Sequence, residues 1–222
     1  MSSFLQAVLS DTARRSHLFK TLLAILRIDR TYHKVFCIGF NKTGTSSINT
    51  VLCQLGYDGL HDETWPKEHR YKQLLYDAFS DGFPRNFIDF DRIYPRSRFI
   101  LNVRNLDEWL DSRLEHIRYQ VSQEKLTPSR YWDFSSDAVK HWVVRRNQHH
   151  AKVMQRFASR PNDLLVLNYI RNPDAAAQVA QFLNKPEISN KPYTRPIPKT
   201  RKQGGLKNKD MIHTCLRELG IP

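Results

Sequence analysis

The sequence predicts an α/β fold of three layers, in which a mainly parallel central sheet is flanked by helices. Short apolar segments typical of buried strands alternate along the chain with longer segments that have the apolar spacing of helices. Strands that alternate with helices form parallel sheets joined by right-handed crossovers. The chain has 222 residues, 40% of them hydrophobic and 26% charged. We therefore expect a soluble single domain that comprises residues 1–222.

The first predicted elements surround a glycine-containing loop. Residues 1–33 are expected to form an N-terminal helical segment, and the apolar run KVFCIGF (34–40) predicts a buried strand. The segment after the loop has apolar residues at helical spacing, namely Ile48, Val51, Leu52 and Leu55. This helix is expected to end at Gly56, and residues 66–79 are predicted to form another helix.

The second half of the chain continues the alternation and then loses it. Its predicted elements are strands at 86–90, 97–104 and 163–169, a helix opened by Asn105, and helices at about 136–158 and 172–183. Asn105 is predicted to cap its helix, with Glu108 completing a capping box. Residues 184–210 are rich in Pro, Gly, Lys and Arg. They predict either a solvated tail or a basic flap that orders over a bound anion.

Composition restricts the partners and the compartment. The formal net charge of +13 favours an anionic partner. We expect no nucleic acid, because no zinc-finger, RRM or helix-turn-helix signature is present. Cys37, Cys53 and Cys215 are far apart and odd in number. They favour reduced thiols in a cytoplasmic protein over a disulfide framework or a metal site. No apolar run approaches the ~20 residues that a transmembrane helix needs.

The loop FNKTGTSS (40–47) has the features of an anion site. Gly39 and Gly44 have the spacing of a G-x-x-x-x-G-K-[ST] phosphate loop, but Thr45 occupies the lysine position and the lysine is Lys42. Backbone N–H groups, hydroxyl groups and the positive end of the helix dipole would surround the anion. The residues that supply these donors are Thr43, Gly44, Thr45, Ser46 and Ser47. Lys42 would lie beside the bound anion and not over a terminal γ-phosphate. The loop therefore favours an anion with two charged groups over a triphosphate. Ordinary Ser/Thr capping is the alternative.

This loop and a second motif resemble the sulfotransferases that use 3′-phosphoadenosine 5′-phosphosulfate (PAPS). FNKTGTSS is similar to the loop that binds the 5′-phosphosulfate in that family. In FILNVRNLDEWLDS, Arg104 and Ser112 have the separation of the arginine and serine that bind the 3′-phosphate. TRKQGG resembles the family's Arg-Lys-Gly flap motif in Arg201 and Lys202, although the glycine here is Gly204, one residue later than in the family. The resemblance implies a P-loop-like sulfotransferase fold.

The resemblance also implies an activity. A sulfuryl group would pass from PAPS to a hydroxyl or amine of an acceptor, with release of the desulfated product PAP and without a metal. Lys42 and the loop would stabilise the charge that develops on the leaving group. Two candidates for the general base remain open, His61 in YDGLHDETW and Asp89 in NFIDF. His61 could equally cap a helix, and Asp89 could equally pair with Arg92.

The acceptor and the oligomeric state are not specified by these motifs. The positive charge favours an anionic acceptor such as a carbohydrate, but small alcohols, phenols, amines and lipid headgroups stay open. The adjacent His149 and His150 are expected at the surface, since neighbouring residues on a helix do not face one metal together. A P-loop kinase or NTPase is the rival function. That function needs a lysine at position 45, where this chain has a threonine. It also needs an acidic residue after an apolar strand, and FIDFD is a poor version of that motif.

Overall fold

A computed structural model describes residues 34–61, 76–81, 87–125, 127–129, 132–186 and 207–221. These residues form a five-stranded parallel sheet with the strand order β2-β3-β1-β4-β5. The strands are β1 Val35–Cys37, β2 Gly59–His61, β3 Ala78–Ser80, β4 Arg98–Asn102 and β5 Leu164–Leu167. The predicted α/β class with a parallel sheet is confirmed. The N-terminal segment 1–33 and most of the basic segment 184–210, including Arg201 and Lys202, lie outside the described residues.

Six helices flank the sheet within the described part of the chain. They are α1 Thr45–Gln54, α2 Phe87–Ile93, α3 Leu106–Ser122, α4 Ser136–Phe157, α5 Ala175–Phe182 and α6 Lys209–Glu218. Among these helices, none has the length and hydropathy that crossing a bilayer would require. α6 begins at Lys209, so the last two residues of the predicted basic segment are helical.

Strand β1 lies at the centre of the sheet and explains the three layers. Its residues are fully buried, and successive side chains point to opposite faces of the sheet. Val35 and Cys37 pack in a cluster with α1 and α5. Phe36 packs on the other face, where its ring centroid lies 5.1 Å from that of Phe90 in α2 and 5.5 Å from that of Phe99 in β4. Both faces of the sheet are therefore covered by helices, as the continuous apolar strand predicts.

A third apolar cluster lies beside the glycine-containing loop. It joins Phe40 of the loop to α3, α4 and α6. α6 contributes the buried residues Ile212, Cys215 and Leu216. The backbone N–H and side-chain amide of Asn208, which precedes α6, both donate to the carboxylate of Asp111 in α3, at 3.0 Å and 2.7 Å. These two hydrogen bonds thus join the start of α6 to α3.

One predicted element is wrong in type, and another lies mostly outside the described residues. Of the helix predicted at 66–79, residues 66–75 lie outside the described part of the chain, and Ala78 and Phe79 belong to strand β3, whose three residues form no recognisable apolar run. The strand predicted at 86–90 is the start of helix α2. Phe87 and Phe90 are buried at a spacing of three, and a five-residue window does not separate that spacing from strand alternation.

The helical conformation of α2 is supported by a buried charge. Asp91 is 8% exposed and accepts hydrogen bonds from Arg156 at 2.5 Å and Arg160 at 2.6 Å. These arginines lie at and just beyond the end of α4. Burial raises the pKa of Asp91, but the hydrogen bonds and charges of both arginines outweigh it and hold the pKa below its usual value. These charged hydrogen bonds therefore join α2 to the end of α4.

Candidate active site

The loop between β1 and α1 has backbone conformations and close contacts that restrict which residues can occupy it. Lys42 has φ 65° and Gly44 has φ 93°, so both lie in the left-handed region. An added Cβ at Gly39 would lie 2.1 Å from the carbonyl oxygen of Asn102, which leaves no space for a side chain. Turns of this kind direct successive N–H groups into a concave surface that suits an anion.

Asn102 holds this loop from behind. It is the last residue of β4 and is fully buried. Its side-chain oxygen accepts a hydrogen bond from the N–H of Gly39 at 3.0 Å. Its amide group donates to the carbonyl of Phe40 at 3.4 Å and to the hydroxyl of Thr43. The hydroxyl of Thr43 in turn donates to the carbonyl of Phe40 at 2.5 Å. The sequence motif did not identify Asn102, because it lies on a different strand.

The N-terminus of α1 is not capped by a side chain. Gly44 occupies the N-cap position, no side chain caps the helix, and no acidic residue lies in its first turn. The first N–H groups of a helix have no partner inside the helix. The hydroxyl groups of Thr45 and Ser46 bond to side chains outside the helix instead of capping it. The Ser/Thr capping alternative is therefore not what the structure shows.

A histidine and a carboxylate lie beside this N-terminus. His61 ends β2, and Asp81 follows β3, the neighbouring strand. The Nε2 atom of His61 lies 3.0 Å from the hydroxyl oxygen of Ser46 and 3.3 Å from that of Thr45. Thr45 also donates to Asp81 at 3.1 Å. The second carboxylate oxygen of Asp81 is 3.8 Å from Nε2 of His61. Sequence reasoning selected His61 but missed Asp81.

Asp89 lies in a different setting from His61. It is in the first turn of α2, its side chain is 55% exposed, and its carboxylate lies 3.6 Å from the guanidinium of Arg92. This is the pairing that the sequence left open as an alternative. Between the two candidates for the base, His61 is the one in direct contact with the loop helix.

Arg104 lies at the same edge of the sheet as the loop. It follows β4, and its Nη1 donates to the carbonyl of Lys42 at 3.1 Å. Its Nε lies 3.5 Å from the carboxylate of Glu108, which also binds Arg171. The hydrogen bond from Arg171, with the nearby charge of Arg104, holds the pKa of Glu108 below its usual value. Glu108 binds these two arginines instead of forming the predicted capping box, and the side chain of Asn105 makes no capping hydrogen bond.

Ser112 lies further along α3, where its residue is 8% exposed. Ser112 remains a predicted contributor to the phosphate site that the resemblance implies.

Helix α3 also contacts the loop at Asn41. The indole N–H of Trp109 donates to the carbonyl of Asn41 at 3.0 Å, and Arg113 donates to its side-chain oxygen at 2.7 Å. The guanidinium of Arg113 lies 4.5 Å from the ring centroid of Trp142 and 4.7 Å from that of Trp132. Burial lowers the pKa of Arg113 to about 10. Cation–π contacts stabilise the charge here, and they are not readable from the sequence because the three tryptophans are far apart in it.

The prediction that His149 lies at the surface is wrong. His149 is 6% exposed on α4, packed edge-on against the rings of Phe40 and Phe87. Its Nε2 donates to the carbonyl of Ile38 at 2.6 Å, directly before the loop. Burial lowers the pKa of His149 to about 4, and burial likewise lowers the pKa of the half-buried His150 to about 4. The described residues contain no cluster of three or more His, Cys, Asp or Glu side chains that could hold a metal.

A comparison with protein families bears on this arrangement. Residues 34–91 match the family described as a sulfotransferase domain. The match runs from β1 to α2 and includes the loop, His61 and Asp81, whereas Arg104 and Ser112 lie outside it. No curated protein matches the chain. The match covers residues 34–91 of the 222 residues, and it supports a likeness of this part of the chain to sulfotransferase domains.

Proposed function

We propose that this protein transfers the sulfuryl group of PAPS to a hydroxyl or amine of an acceptor and releases PAP. One observation carries the proposal. The uncapped N-terminus of α1 and the guanidinium of Arg104 lie at one edge of the sheet, joined through the carbonyl of Lys42 at 3.1 Å. A nucleotide with anionic groups at its 5′ and 3′ positions needs two cationic sites that are close together.

The 5′-phosphosulfate is assigned to the loop. The N–H groups of the first turn of α1 and the helix dipole would bind its oxygens. Lys42 would add a positive charge beside them, and it is the loop residue that carries a full charge. The backbone and hydroxyl donors assigned with it are those of Thr43, Gly44, Thr45, Ser46 and Ser47.

The 3′-phosphate is assigned to Arg104 and Ser112. The guanidinium offers paired donors to phosphate oxygens, and the Ser112 hydroxyl offers one more. Arg201 and Lys202 stay predicted contributors to this phosphate site. The carboxylate of Glu108 lies 3.5 Å from Nε of Arg104 and neutralises part of its charge. We expect the phosphate to take over this role on binding.

The donor set favours a phosphosulfate over ATP with Mg²⁺. A P-loop NTPase uses a lysine on the phosphates, and it binds Mg²⁺ through a loop hydroxyl and an acid after a strand. Position 45 is a threonine here, and its hydroxyl donates to Asp81 at 3.1 Å. The hydroxyl of Ser46 is bonded to His61 at 3.0 Å. FIDFD, the segment with a weak likeness to the second motif, is part of helix α2.

We assign the general base to His61 rather than Asp89. In the transfer step the acceptor oxygen forms a bond to sulfur while the bond from sulfur to the bridging oxygen of PAPS breaks. The acceptor proton passes to the imidazole, and the loop and Lys42 stabilise the charge on departing PAP. His61 is in contact with the loop helix, whereas Asp89 pairs with Arg92 on α2.

We propose that residues 1–222 form one sulfotransferase-like domain. The net charge of +13 favours an anionic acceptor, for example a carbohydrate. Cys37, Cys53 and Cys215 are all free thiols, which accords with the proposed cytoplasmic location.

Titration calorimetry with PAP and with ATP–Mg²⁺ tests the proposal. We expect PAP to bind, and Lys42→Ala and Arg104→Ala to weaken binding. PAP at ~100 times its dissociation constant should raise the unfolding free energy by about 2.7 kcal/mol. The exposed Arg92, which pairs with Asp89, gives a matched control as Arg92→Ala. Binding of ATP–Mg²⁺ without binding of PAP would contradict the proposal.

A further inference from the structure

We propose that Asp81 is a positioning residue that keeps the proton of neutral His61 on Nε2, so that Nδ1 is the atom that accepts the proton of the acceptor. This inference rests on the proposed function, because it concerns the base of that reaction. The observation behind it is the way that Asp81, Thr45, Ser46 and His61 share their hydrogen bonds.

The sheet brings the two residues together. Strands β2 and β3 are parallel neighbours, and His61 is in register with Ser80. Asp81 therefore follows immediately beside His61 at the carboxyl edge. Asp81 has φ 66°, an unfavourable value for a residue with a side chain, although aspartate tolerates it better than most. Such strained positions are found preferentially at functional sites.

The proton on Nε2 follows from the donors and acceptors around it. A carboxylate only accepts hydrogen bonds, and a hydroxyl has one proton to donate. Thr45 donates its proton to Asp81 at 3.1 Å, so toward His61 its oxygen can only accept. That oxygen is 3.3 Å from Nε2 of His61, and the other oxygen of Asp81 is 3.8 Å away. The Ser46 hydroxyl at 3.0 Å can accept from Nε2–H or donate to a bare Nε2, so it does not choose between the two forms. A proton on Nε2 can be shared with the Thr45 oxygen and is attracted by the charge of Asp81, whereas a bare Nε2 would turn its lone pair toward both.

The other ring nitrogen of His61, Nδ1, is the proposed proton acceptor. All contacts of the His61 side chain with the described residues are made by Nε2. With Nε2 protonated, Nδ1 carries the lone pair and can take the acceptor proton as the bond to sulfur forms. The resulting imidazolium lies 3.8 Å from the ionised carboxylate of Asp81, which stabilises its charge without taking the proton. The imidazolium then loses the proton to solvent after PAP has left.

Nitrogen-15 NMR of histidine-labelled protein bound to PAP tests the tautomer directly. In the wild type we expect the Nε2–H form of neutral His61, identified by loss of its signals in His61→Gln. In Asp81→Asn the amide N–H₂ can donate to Nε2, so we expect the Nδ1–H form to become the major one. Asp89→Asn removes an exposed acid on the neighbouring helix α2 and should leave the tautomer unchanged.

Hydrolysis of PAPS, in which water is the acceptor, supplies a kinetic readout. Asp81→Asn should lower kcat by on the order of 100-fold, the lower range for loss of general-base catalysis. The KM for PAPS and the affinity for PAP should change less than about threefold, because Asp81 is not assigned to bind the nucleotide. A second pair of variants repeats the test at the bridging hydroxyl: Thr45→Val should shift the tautomer, and Thr45→Ser should preserve it.

Failure of this inference differs from failure of the proposed function. A wild type that does not bind PAP overturns the proposed function. A wild type that binds PAP but holds His61 in the Nδ1–H form overturns the role of Asp81 alone. An Asp81→Asn variant that keeps both the wild-type kcat and the Nε2–H form also overturns the role of Asp81 alone. If Asp81→Asn does not fold, the outcome with Thr45→Val and Thr45→Ser decides.

Discussion

Acidification should destabilise this protein through His149, a buried histidine behind the loop. His149 is 6% exposed and donates its Nε2–H to the carbonyl of Ile38 at 2.6 Å. The rings of Phe40 and Phe87 surround it, so a charged imidazolium would be poorly solvated there. Because Ile38 directly precedes the loop, we expect acid to weaken the anion site together with the fold.

The magnitude follows from the two pKa values of this group. Burial lowers the pKa of His149 in the folded protein to about 4, against 6.5 for an ordinary histidine. As the pH falls below 6.5, the unfolded chain binds the proton first, so stability present above 6.5 is lost progressively down to about 4. One pKa unit corresponds to about 1.4 kcal/mol, so the expected loss from His149 is about 3 kcal/mol. The half-buried His150 changes stability in the same direction.

Urea unfolding followed by tryptophan fluorescence between pH 7 and pH 4 measures this loss. His149→Gln keeps an amide donor for Ile38 but has no proton to gain, so its unfolding free energy should fall less with pH. His213→Gln, an exposed histidine on α6, serves as the control and should behave as the wild type. Equal pH slopes for the wild type and His149→Gln would refute the reasoning.

Three further predictions concern the support of the loop. Gly39→Ala should lower the unfolding free energy by on the order of 3 kcal/mol in urea denaturation, because its Cβ would lie 2.1 Å from the Asn102 carbonyl; wild-type stability would contradict the close approach. Asn102→Ala should cost about 1–3 kcal/mol and weaken PAP binding, since it leaves the buried N–H of Gly39 without its 3.0 Å acceptor; calorimetry with unchanged PAP affinity would count against this support. Arg113→Met should leave the melting temperature nearly unchanged, because the removed buried charge has no carboxylate partner among the described residues. It should weaken PAP binding about tenfold through loss of the 2.7 Å hydrogen bond to Asn41. A large loss of stability with unchanged PAP affinity would reverse the assignment.

Much of the fold was predictable because long segments have a clear period. The helices predicted at 136–158 and 172–183 contain α4 and α5, and the segments 97–104 and 163–169 contain β4 and β5. The failures lie where elements are short. β3 has three residues and α2 has seven. In such windows the strand and helix periods give the same pattern, and tertiary contacts decide. α6 was not predicted.

The sequence by itself determined the chemistry that is local to one segment: a strand, a glycine-containing turn and a helix whose first residues are Thr45, Ser46 and Ser47. Only the tertiary structure decided which residues from other segments meet that turn. Asn102, Asp81 and Arg113 reach it from three different elements, and the contacts depend on strand order and helix packing. The physical reason is that hydrogen-bond donors in a turn are encoded by adjacent residues, whereas their partners are set by distances across the sheet that no local pattern records.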